Sequence, residues 1–383
     1  MLIENTSKYY LKKIRAKAKM YEYGVPDDIH IKVEEQANDL ILLCIGIVGD
    51  IADEICEMKE LPINLSSENK EKLYFASKFF DAYFQSKLDL NMNPYHILMG
   101  SVTYYFCNMN GSSKVMMTTM PKQSDFKFYA SGLEKLIMWL LNSDIKFDIS
   151  DIDAKYIDYA RLIVDYHNSF FECENPVEPN FEEFRNFVYQ IGNDREILFV
   201  DIILAIVKKK VYNSCINLMP LYSGINREHW LETFKNNVMM KEMWPSQILL
   251  GEENIYSGKS GVIQMPTSSG KTTSVALTIQ SAFLSDRTSI AIVVAPFRAL
   301  CKEIMFDMER FFEFDDAITI TEFSDIPELN EIELATLESI NKKVFVMTPE
   351  KLAYILKHNQ KITESIGMII FDEAHLFDDE SRG

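Results

Sequence analysis

The hydrophobic pattern changes near residue 241, and this change constrains the fold more than any other feature of the sequence. Beyond it, short β-branched apolar runs alternate with stretches of helix-like periodicity. The runs that fit buried strands are residues 261–265, 289–295, 318–320, 344–348 and 368–371. Apolar strands that alternate with helices indicate a parallel sheet covered on both faces. The sequence therefore predicts an α/β domain that binds ligands at the carboxyl ends of its strands.

Residues 1–240 show a different pattern, in which apolar side chains recur every three or four residues. The segment from Val33 to Ile55 lines one face of a long helix in this way, and similar stripes follow it. We therefore expect two domains, an all-helical domain at 1–240 and an α/β domain at 241–383.

Composition limits where the protein acts and what it binds. The longest apolar runs, 40–48 and 197–207, are shorter than the roughly 20 residues that cross a bilayer, and the N-terminus lacks a secretory pattern. We expect a cytoplasmic protein with no membrane partner. The six cysteines are scattered, which argues against disulfides and a transition-metal site. A net charge of −18 argues against a uniformly basic surface, but it does not exclude nucleic-acid binding inside a cleft.

A phosphate-binding loop follows the first predicted strand. Gly270, Lys271 and Thr272 open a helix there, so that backbone amides cradle phosphates, Lys271 reaches the β and γ oxygens, and Thr272 ligates magnesium. Met265 stands where the strict pattern has glycine, and a surface loop is the alternative. The residues expected to contact the nucleotide in this loop are Thr267, Ser268, Ser269, Gly270, Lys271 and Thr272.

An acidic pair, Asp372 and Glu373, ends the fifth predicted strand and is followed by Ala374 and His375. Carboxylates at the end of a buried strand are costly unless they meet a cation. Asp372 is therefore placed to hold magnesium, and Glu373 to orient and deprotonate the attacking water. The alternative is an acidic helix start, which the helix dipole favours.

Together these motifs resemble the first RecA-like domain of superfamily 2 DExH/DEAH-box helicases, in the family's order. The phosphate loop resembles PTGSGKT with Ser268 in place of a glycine. Residues 295–300 resemble motif Ia, 348–352 resemble motif Ib, and 372–375 spell DEAH as motif II does. The fold implied is an incomplete RecA-like parallel sheet behind an all-α domain, with ATP and Mg²⁺ as cofactors and Thr272 and Asp372 as the magnesium ligands.

Upstream, Trp244–Gln247 resembles the Q motif, whose glutamine recognises adenine, so Gln247 is expected to contact the nucleotide. A capped helix start with a buried aromatic is the alternative for this segment. In the family, the positions of Pro296, Arg298 and Thr348 face the nucleic acid, although a surface ion pair also accounts for Arg298. By the same resemblance the catalytic residues are Lys271, Asp372, Glu373 and His375, the last of which couples the ATP site to the strand.

Residues 375–383 and the Pro-x-Arg-Ala-Leu of motif Ia resemble the Ski-like branch. The resemblance implies an ATP-dependent helicase or translocase on single-stranded or tailed nucleic acid, with DNA favoured over RNA. The chain is expected to be its N-terminal fragment, ending after motif II and inactive alone. The alternative is an ATP-switched regulatory or partner-binding module.

The long helical N-terminal extension resembles that of helicases in bacterial antiphage systems. Its helical stripes are rich in Tyr and Phe and have no basic bias, so a partner protein such as a nuclease is expected to dock on residues 1–240. The alternative is that these aromatic side chains only pack the domain and its contact with the sheet. Two basic runs lie in that part of the chain. Lys12–Lys19, beside Tyr9 and Tyr10, is expected to be a solvated helix face, and binding of a phosphate backbone is the alternative. Lys208–Lys210 is expected to complement the dipole at the end of its own helix.

Overall fold

The computed structural model describes residues 5–33, 37–58, 63, 65–88, 93–120, 131–170, 177–236, 242–266, 269–313, 315–323, 341–358 and 360–378. The Cα positions group into two compact units. The first holds the described residues up to 212, and the second holds those from 213 onward. No described helix is both long enough and apolar enough to span a bilayer.

The first unit is helical throughout its described residues. Its α-helices are α1 (Asn5–Glu22), α2 (Ala37–Glu57), α3 (Ser67–Gln85), α4 (Pro94–Phe106), α5 (Asn110–Thr118), α6 (Leu133–Leu141), α7 (Ile157–Ser169), α8 (Phe181–Ile191) and α9 (Asp194–Tyr212). Single 3-10 turns lie at Asp27–Ile29 and Ile149–Asp151.

Helix α9 forms the centre of this unit. Its residues 199–207 are all buried, and α2, α6 and α8 pack around it. A helix that is apolar on all sides can bury its surface only when other helices surround it. The predicted helix at 33–55 corresponds to α2, and the all-α character expected for this part of the chain is confirmed.

The second unit combines helices with a sheet. Its helices are α10 (Cys215–Ser223), α11 (Arg227–Asn236), α12 (Pro245–Glu252), α13 (Lys271–Leu284), α14 (Arg298–Phe312), α15 (Pro349–His358) and α16 (Gln360–Ser365), with a 3-10 helix at Ala374–Asp378. Its strands are β1 (Ile290–Val294), β2 (Ile318–Phe323), β3 (Lys342–Met347) and β4 (Ile366–Phe371). Because α10 packs on both α11 and α12, these helices group with the sheet. The domain boundary expected at 240/241 stays a prediction.

The sheet has the order β2-β3-β1-β4, and every neighbouring pair is parallel. Strand β1 is buried along its whole length, as is nearly all of β3, because each has a strand on both sides. Phe345 and Met347 of β3 join Ile292 and Val294 of β1 in one apolar cluster. The predicted α/β class, with a RecA-like parallel sheet after a helical region, is confirmed.

The prediction of a strand at 261–265 is wrong, because residues 261–266 are not in a strand and pair with no strand of the described chain. Val262 is fully exposed, and Ile263 is 47% exposed. A β-branched sequence favours extended backbone, but a strand also needs a hydrogen-bonded neighbour. The expectation that the last strand is buried also fails, because β4 is the edge strand and Phe371 is 51% exposed.

Candidate functional site

The carboxyl ends of β1, β3 and β4 lie side by side. Val294 at the end of β1 pairs with Met347 on one side and Phe371 on the other. The next residues continue this alignment, since the Asp372 amide donates to the Val294 carbonyl at 2.9 Å. Residues that follow the three strands therefore share one edge, where parallel sheets bind ligands.

Helix α13 begins at Lys271, immediately after the glycine of the predicted phosphate loop. Gly270 has φ +84°, a conformation that favours glycine, and a Cβ at this position would displace the side-chain amide of Gln247, whose Nε2 would lie 2.7 Å away. The first-turn amides of a helix have no intrahelical acceptors and mark the positive end of its dipole. The geometry therefore fits an anion-binding loop. Thr267 and Ser268 lie outside the described residues.

Lys271 of this loop meets the acidic pair that follows β4. Its Nζ lies 2.5 Å from Oε1 of Glu373 and 4.0 Å from Oδ1 of Asp372. The hydrogen bond to Glu373 raises the pKa of Lys271, and the same bond lowers the pKa of Glu373. Both groups are therefore charged at neutral pH. Two motifs 102 residues apart in sequence thus form one cluster.

His375 extends this cluster toward solvent. It lies in the 3-10 helix after β4, its side chain is 71% exposed, and its Nδ1 lies 3.3 Å from Oε2 of Glu373. The two oxygens of Glu373 therefore contact different residues, Lys271 on one side and His375 on the other. Glu373 itself has φ +49°, an uncommon conformation for a residue other than glycine.

Gln247 lies against the phosphate loop, but its amide is engaged within the protein. The side chain is buried, its Oε1 accepts the Trp244 amide at 2.7 Å, and its Nε2 donates to the Gly270 carbonyl at 3.4 Å. The structure thus shows the capped helix start that was the alternative interpretation of Trp244–Gln247. Recognition of adenine by Gln247 stays a prediction. Sequence reasoning missed Ser246, whose Oγ donates to the Ser269 carbonyl at 2.8 Å. No local pattern signals this bond, because it joins residues 23 positions apart.

The three residues expected to face nucleic acid lie at the same edge of the sheet. Pro296 is buried after β1, and Arg298 is exposed as the first residue of α14. Thr348 is buried between β3 and α15. Because β1 and β3 are neighbours, the structure brings the two motifs together at the end where Asp372 follows β4. Their contact with nucleic acid stays a prediction.

The residues present fit a magnesium ion. Asp372 and Glu373 both direct a carboxylate oxygen toward one cation, the Lys271 ammonium, and Thr272 is the next residue of the same helix. Magnesium takes oxygen ligands and is usually held by one or two carboxylates together with substrate phosphates. A dedicated protein cage is not required, and the described residues contain no group of three or more His, Cys, Asp or Glu that could hold a metal.

Comparison with known proteins bears on this site directly. Residues 251–383 match the family described as DEAD/DEAH box helicase. Hachiman protein HamB of Bacillus cereus is 30% identical over 135 residues, which are 35% of this chain and 12% of HamB. The ATP-dependent DNA helicase Hel308 of Thermoplasma acidophilum is 29% identical over 133 residues, which are 34% of this chain and 18% of Hel308.

A eukaryotic protein is also among the relatives. Activating signal cointegrator 1 complex subunit 3 of Dictyostelium discoideum is 26% identical over 191 residues, which are 49% of this chain and 8% of that protein. The matches thus span less than a fifth of each of these relatives. The motifs, the parallel sheet and the family match agree, and the predicted resemblance to DExH/DEAH-box helicases is confirmed. Residues 251–383 are a DEAD/DEAH box helicase domain.

Proposed function

We propose that this chain is the N-terminal part of a superfamily 2 helicase or translocase that hydrolyses ATP with Mg²⁺ to move along nucleic acid. The observation that carries the proposal is the cluster of Lys271, Asp372 and Glu373 at the carboxyl edge of the sheet, with Lys271 at the start of α13. A phosphate-binding lysine and a water-activating carboxylate are the two groups that phosphoryl transfer to water needs in one place.

The side chains divide the chemistry among themselves. Lys271 exchanges its bond to Glu373 for the phosphate oxygens of the nucleotide, and Glu373 is then available to orient water and accept its proton. Thr272 and Asp372 would hold Mg²⁺, which supplies charge neutralisation for the phosphates when bound. The amides of Ser269 and Gly270, with those of Thr267 and Ser268, complete the loop. His375 contacts the Glu373 carboxylate, which acts as the base. Through this contact His375 can couple the ATP site to the nucleic-acid strand.

The track in this proposal is a single-stranded or tailed nucleic acid. Pro296, Arg298 and Thr348 contact it at the edge of the sheet, through backbone amides, a hydroxyl and a guanidinium, which hold phosphates without reading bases. DNA is favoured over RNA, since several of the relatives are named DNA helicases.

The setting is also part of the proposal. We place the protein in the cytoplasm, with a partner protein such as a nuclease docked on residues 1–240 and a role in antiviral defence. The similarity to Hachiman protein HamB supports this setting. A regulatory module in which ATP acts only as a switch is the alternative, and it predicts nucleotide binding without turnover that depends on a nucleic-acid strand.

Two measurements test the proposal. Titration of this chain with a fluorescent ATP analogue should show Mg²⁺-dependent binding that Lys271→Ala weakens. ATP hydrolysis by the longer protein should rise when single-stranded DNA or RNA is added, and the stronger activator identifies the track. Hydrolysis that neither polymer stimulates would favour the switch, and failure of the chain to bind nucleotide would overturn both functions.

A further inference from the structure

A groove between α1 and α3 in the helical unit carries an unusual set of side chains, and we call it the α1–α3 groove. Its volume is about 230 Å³. Its polar lining consists of Lys8, Lys12 and Arg15 from α1 and Glu71, Tyr74 and Lys78 from α3. We propose that this groove binds the sugar-phosphate backbone of a single nucleic-acid strand.

The spacing of the cations follows from helix geometry. Lys8, Lys12 and Arg15 are four and then three residues apart, so they share one face of α1 and extend over about 10 Å of the helix. Between them, Leu11 is buried and forms the floor of the groove together with Phe75 of α3. The cationic groups thus form a rim above an apolar floor. That length matches roughly two or three successive phosphates of a strand.

The groove has an excess of positive charge that the protein itself does not neutralise. Four of its six polar side chains are cationic and one is acidic, in a chain whose net charge is −18. Among the described residues, Lys8, Lys12, Arg15 and Lys78 form no ion pair with a carboxylate. Clustered cations without counterions repel one another, so an anion that enters the groove relieves a repulsion already present.

Other lysines on the same two helices form ion pairs with neighbouring carboxylates. Lys19 of α1 pairs with Glu22 at 2.5 Å, and Lys72 of α3 pairs with Glu68 at 2.7 Å. Both follow the three- and four-residue spacing that is usual for ion pairs within a helix. Lys12 and Arg15 are exposed, as the expected solvated face predicts, but unlike Lys19 and Lys72 they have no carboxylate partner among the described residues.

An aromatic ring identifies the class of anion. Tyr74 is 50% exposed beside the cations, and Nζ of Lys78 lies 3.8 Å from the centroid of its ring. That contact holds the ring in one orientation while half of its surface meets solvent. Exposed aromatic rings next to a basic groove are how proteins stack the bases of single strands while cations follow the backbone. An acidic peptide would use the cations but would leave the ring without a role.

This inference rests on the proposed function in one respect, since the motor supplies the reason for a strand to reach the helical unit. Its test is independent of the ATP site. Binding of a labelled oligothymidylate of about 20 nucleotides to the full chain is measured by fluorescence anisotropy over a range of salt concentrations. The groove variant carries Lys8→Ala, Lys12→Ala and Arg15→Ala, three exposed positions at which alanine favours the helix.

The control variant removes the same charge from ion-paired, exposed sites of the same unit, through Lys19→Ala, Lys114→Ala and Arg161→Ala. We expect the groove variant to bind roughly 10- to 100-fold more weakly at about 0.1 M salt, with a salt slope lower by about 2, since each lost phosphate contact removes about 0.7 from it. The control should bind as the parent does. Tyr74→Ala should weaken binding and leave the salt slope unchanged, because stacking releases no counterions.

Each remaining outcome also decides the question. Equal affinities of the groove and control variants would overturn the inference, as would displacement of the oligonucleotide by polyglutamate at matched charge concentration, which would make an acidic peptide the ligand. Binding of the ATP analogue is measured on the same samples. If that binding is intact while the groove variant matches the control, the proposed function stands and the groove assignment falls; if ATP binding is absent and the groove variant is still defective, the reverse holds.

Discussion

Single side chains at the sheet edge have separable tasks, and the Lys271–Glu373 pair shows this most directly. Lys271→Ala removes the phosphate contact and should weaken ATP-analogue binding by at least about 10-fold, as loss of a charge-assisted hydrogen bond predicts. Glu373→Gln should leave binding intact or tighten it, because Lys271 no longer has a carboxylate partner at 2.5 Å. In the longer protein the same change should abolish hydrolysis. Parental turnover by Glu373→Gln would show that another group is the base.

Gln247 forms two hydrogen bonds within the protein, so its effect on stability and its effect on nucleotide binding must be measured separately. Gln247→Ala loses the acceptor for the Trp244 amide and the donor to the Gly270 carbonyl, and we expect it to lower the free energy of unfolding by about 1 kcal/mol. Gln247→Glu keeps the acceptor for the Trp244 amide, but it replaces the donor with a carboxylate oxygen that is buried and repelled by the Gly270 carbonyl.

A role in adenine recognition predicts that both Gln247 variants lose the preference for ATP over GTP in competition binding, while Mg²⁺ dependence is retained. If Gln247→Glu instead keeps the parental preference and stability, the residue acts as a helix cap only. The sequence alone could not separate these roles, since the contact with Gly270 joins residues 23 positions apart.

At the scale of elements, two lysines near the end of α9 stabilise helices other than their own. Nζ of Lys208 donates to the Cys56 carbonyl at 3.3 Å, at the end of α2. Nζ of the buried Lys209 donates to the Tyr105 carbonyl near the end of α4 and lies 4.5 Å from the centroid of that ring. Both ammonium groups thus cap the end of a neighbouring helix. The Tyr105 carbonyl also accepts the Asn108 amide at 3.1 Å, so Lys209 adds a second, charge-assisted bond there.

The expectation that this run complements the end of its own helix is therefore incomplete. Lys209→Met keeps the aliphatic stem and removes the donor, so it should lower the free energy of unfolding by about 1–3 kcal/mol. Urea unfolding monitored by circular dichroism measures this change. Lys114→Met on exposed α5 is the matched control and should change stability by less than about 0.5 kcal/mol. Equal effects of the two substitutions would contradict the capping role.

The elements also show which parts of the fold can be predicted from sequence. Four of the predicted runs each correspond to a strand, namely 289–295, 318–320, 344–348 and 368–371. A strand that packs within a sheet carries apolar side chains, and the sequence shows these directly. The run at 261–265 also has β-branched residues, Val262 and Ile263, but it is not a strand. Pairing partners are set by tertiary structure, and a segment does not carry that information itself.

At the scale of the whole molecule, the division into units decides which fragments should fold. Contacts group α10 and α11 with the sheet, where Thr233 accepts from Gln280 at 2.9 Å and Tyr222 lies against Gly251. Residues 1–212 should therefore unfold as one cooperative transition in urea, because the core around α9 lies within that range.

Residues 1–240, the domain expected from sequence, should behave less well, since the cut separates α10 and α11 from α12 and α13. The contact between Thr233 of α11 and Gln280 of α13 would then be lost, and we expect the fragment to bind the dye ANS and aggregate more readily. If the longer fragment is the more stable and the less dye-binding of the two, the boundary lies at 240. The hydrophobic pattern placed it there because α10 and α11 have the same helical periodicity as the preceding domain.

The bond between Lys271 and Glu373 also has a thermodynamic meaning for the nucleotide-free protein. The Glu373 carboxylate binds the Lys271 ammonium that the phosphates also need. Because both side chains belong to one protein, the carboxylate competes with the nucleotide at a fixed effective concentration. The apparent affinity for ATP equals the intrinsic affinity multiplied by the fraction of molecules in which Lys271 has left Glu373. A change that loosens this pair without altering Lys271 or the phosphates, such as Glu373→Gln, therefore raises the apparent affinity for the nucleotide.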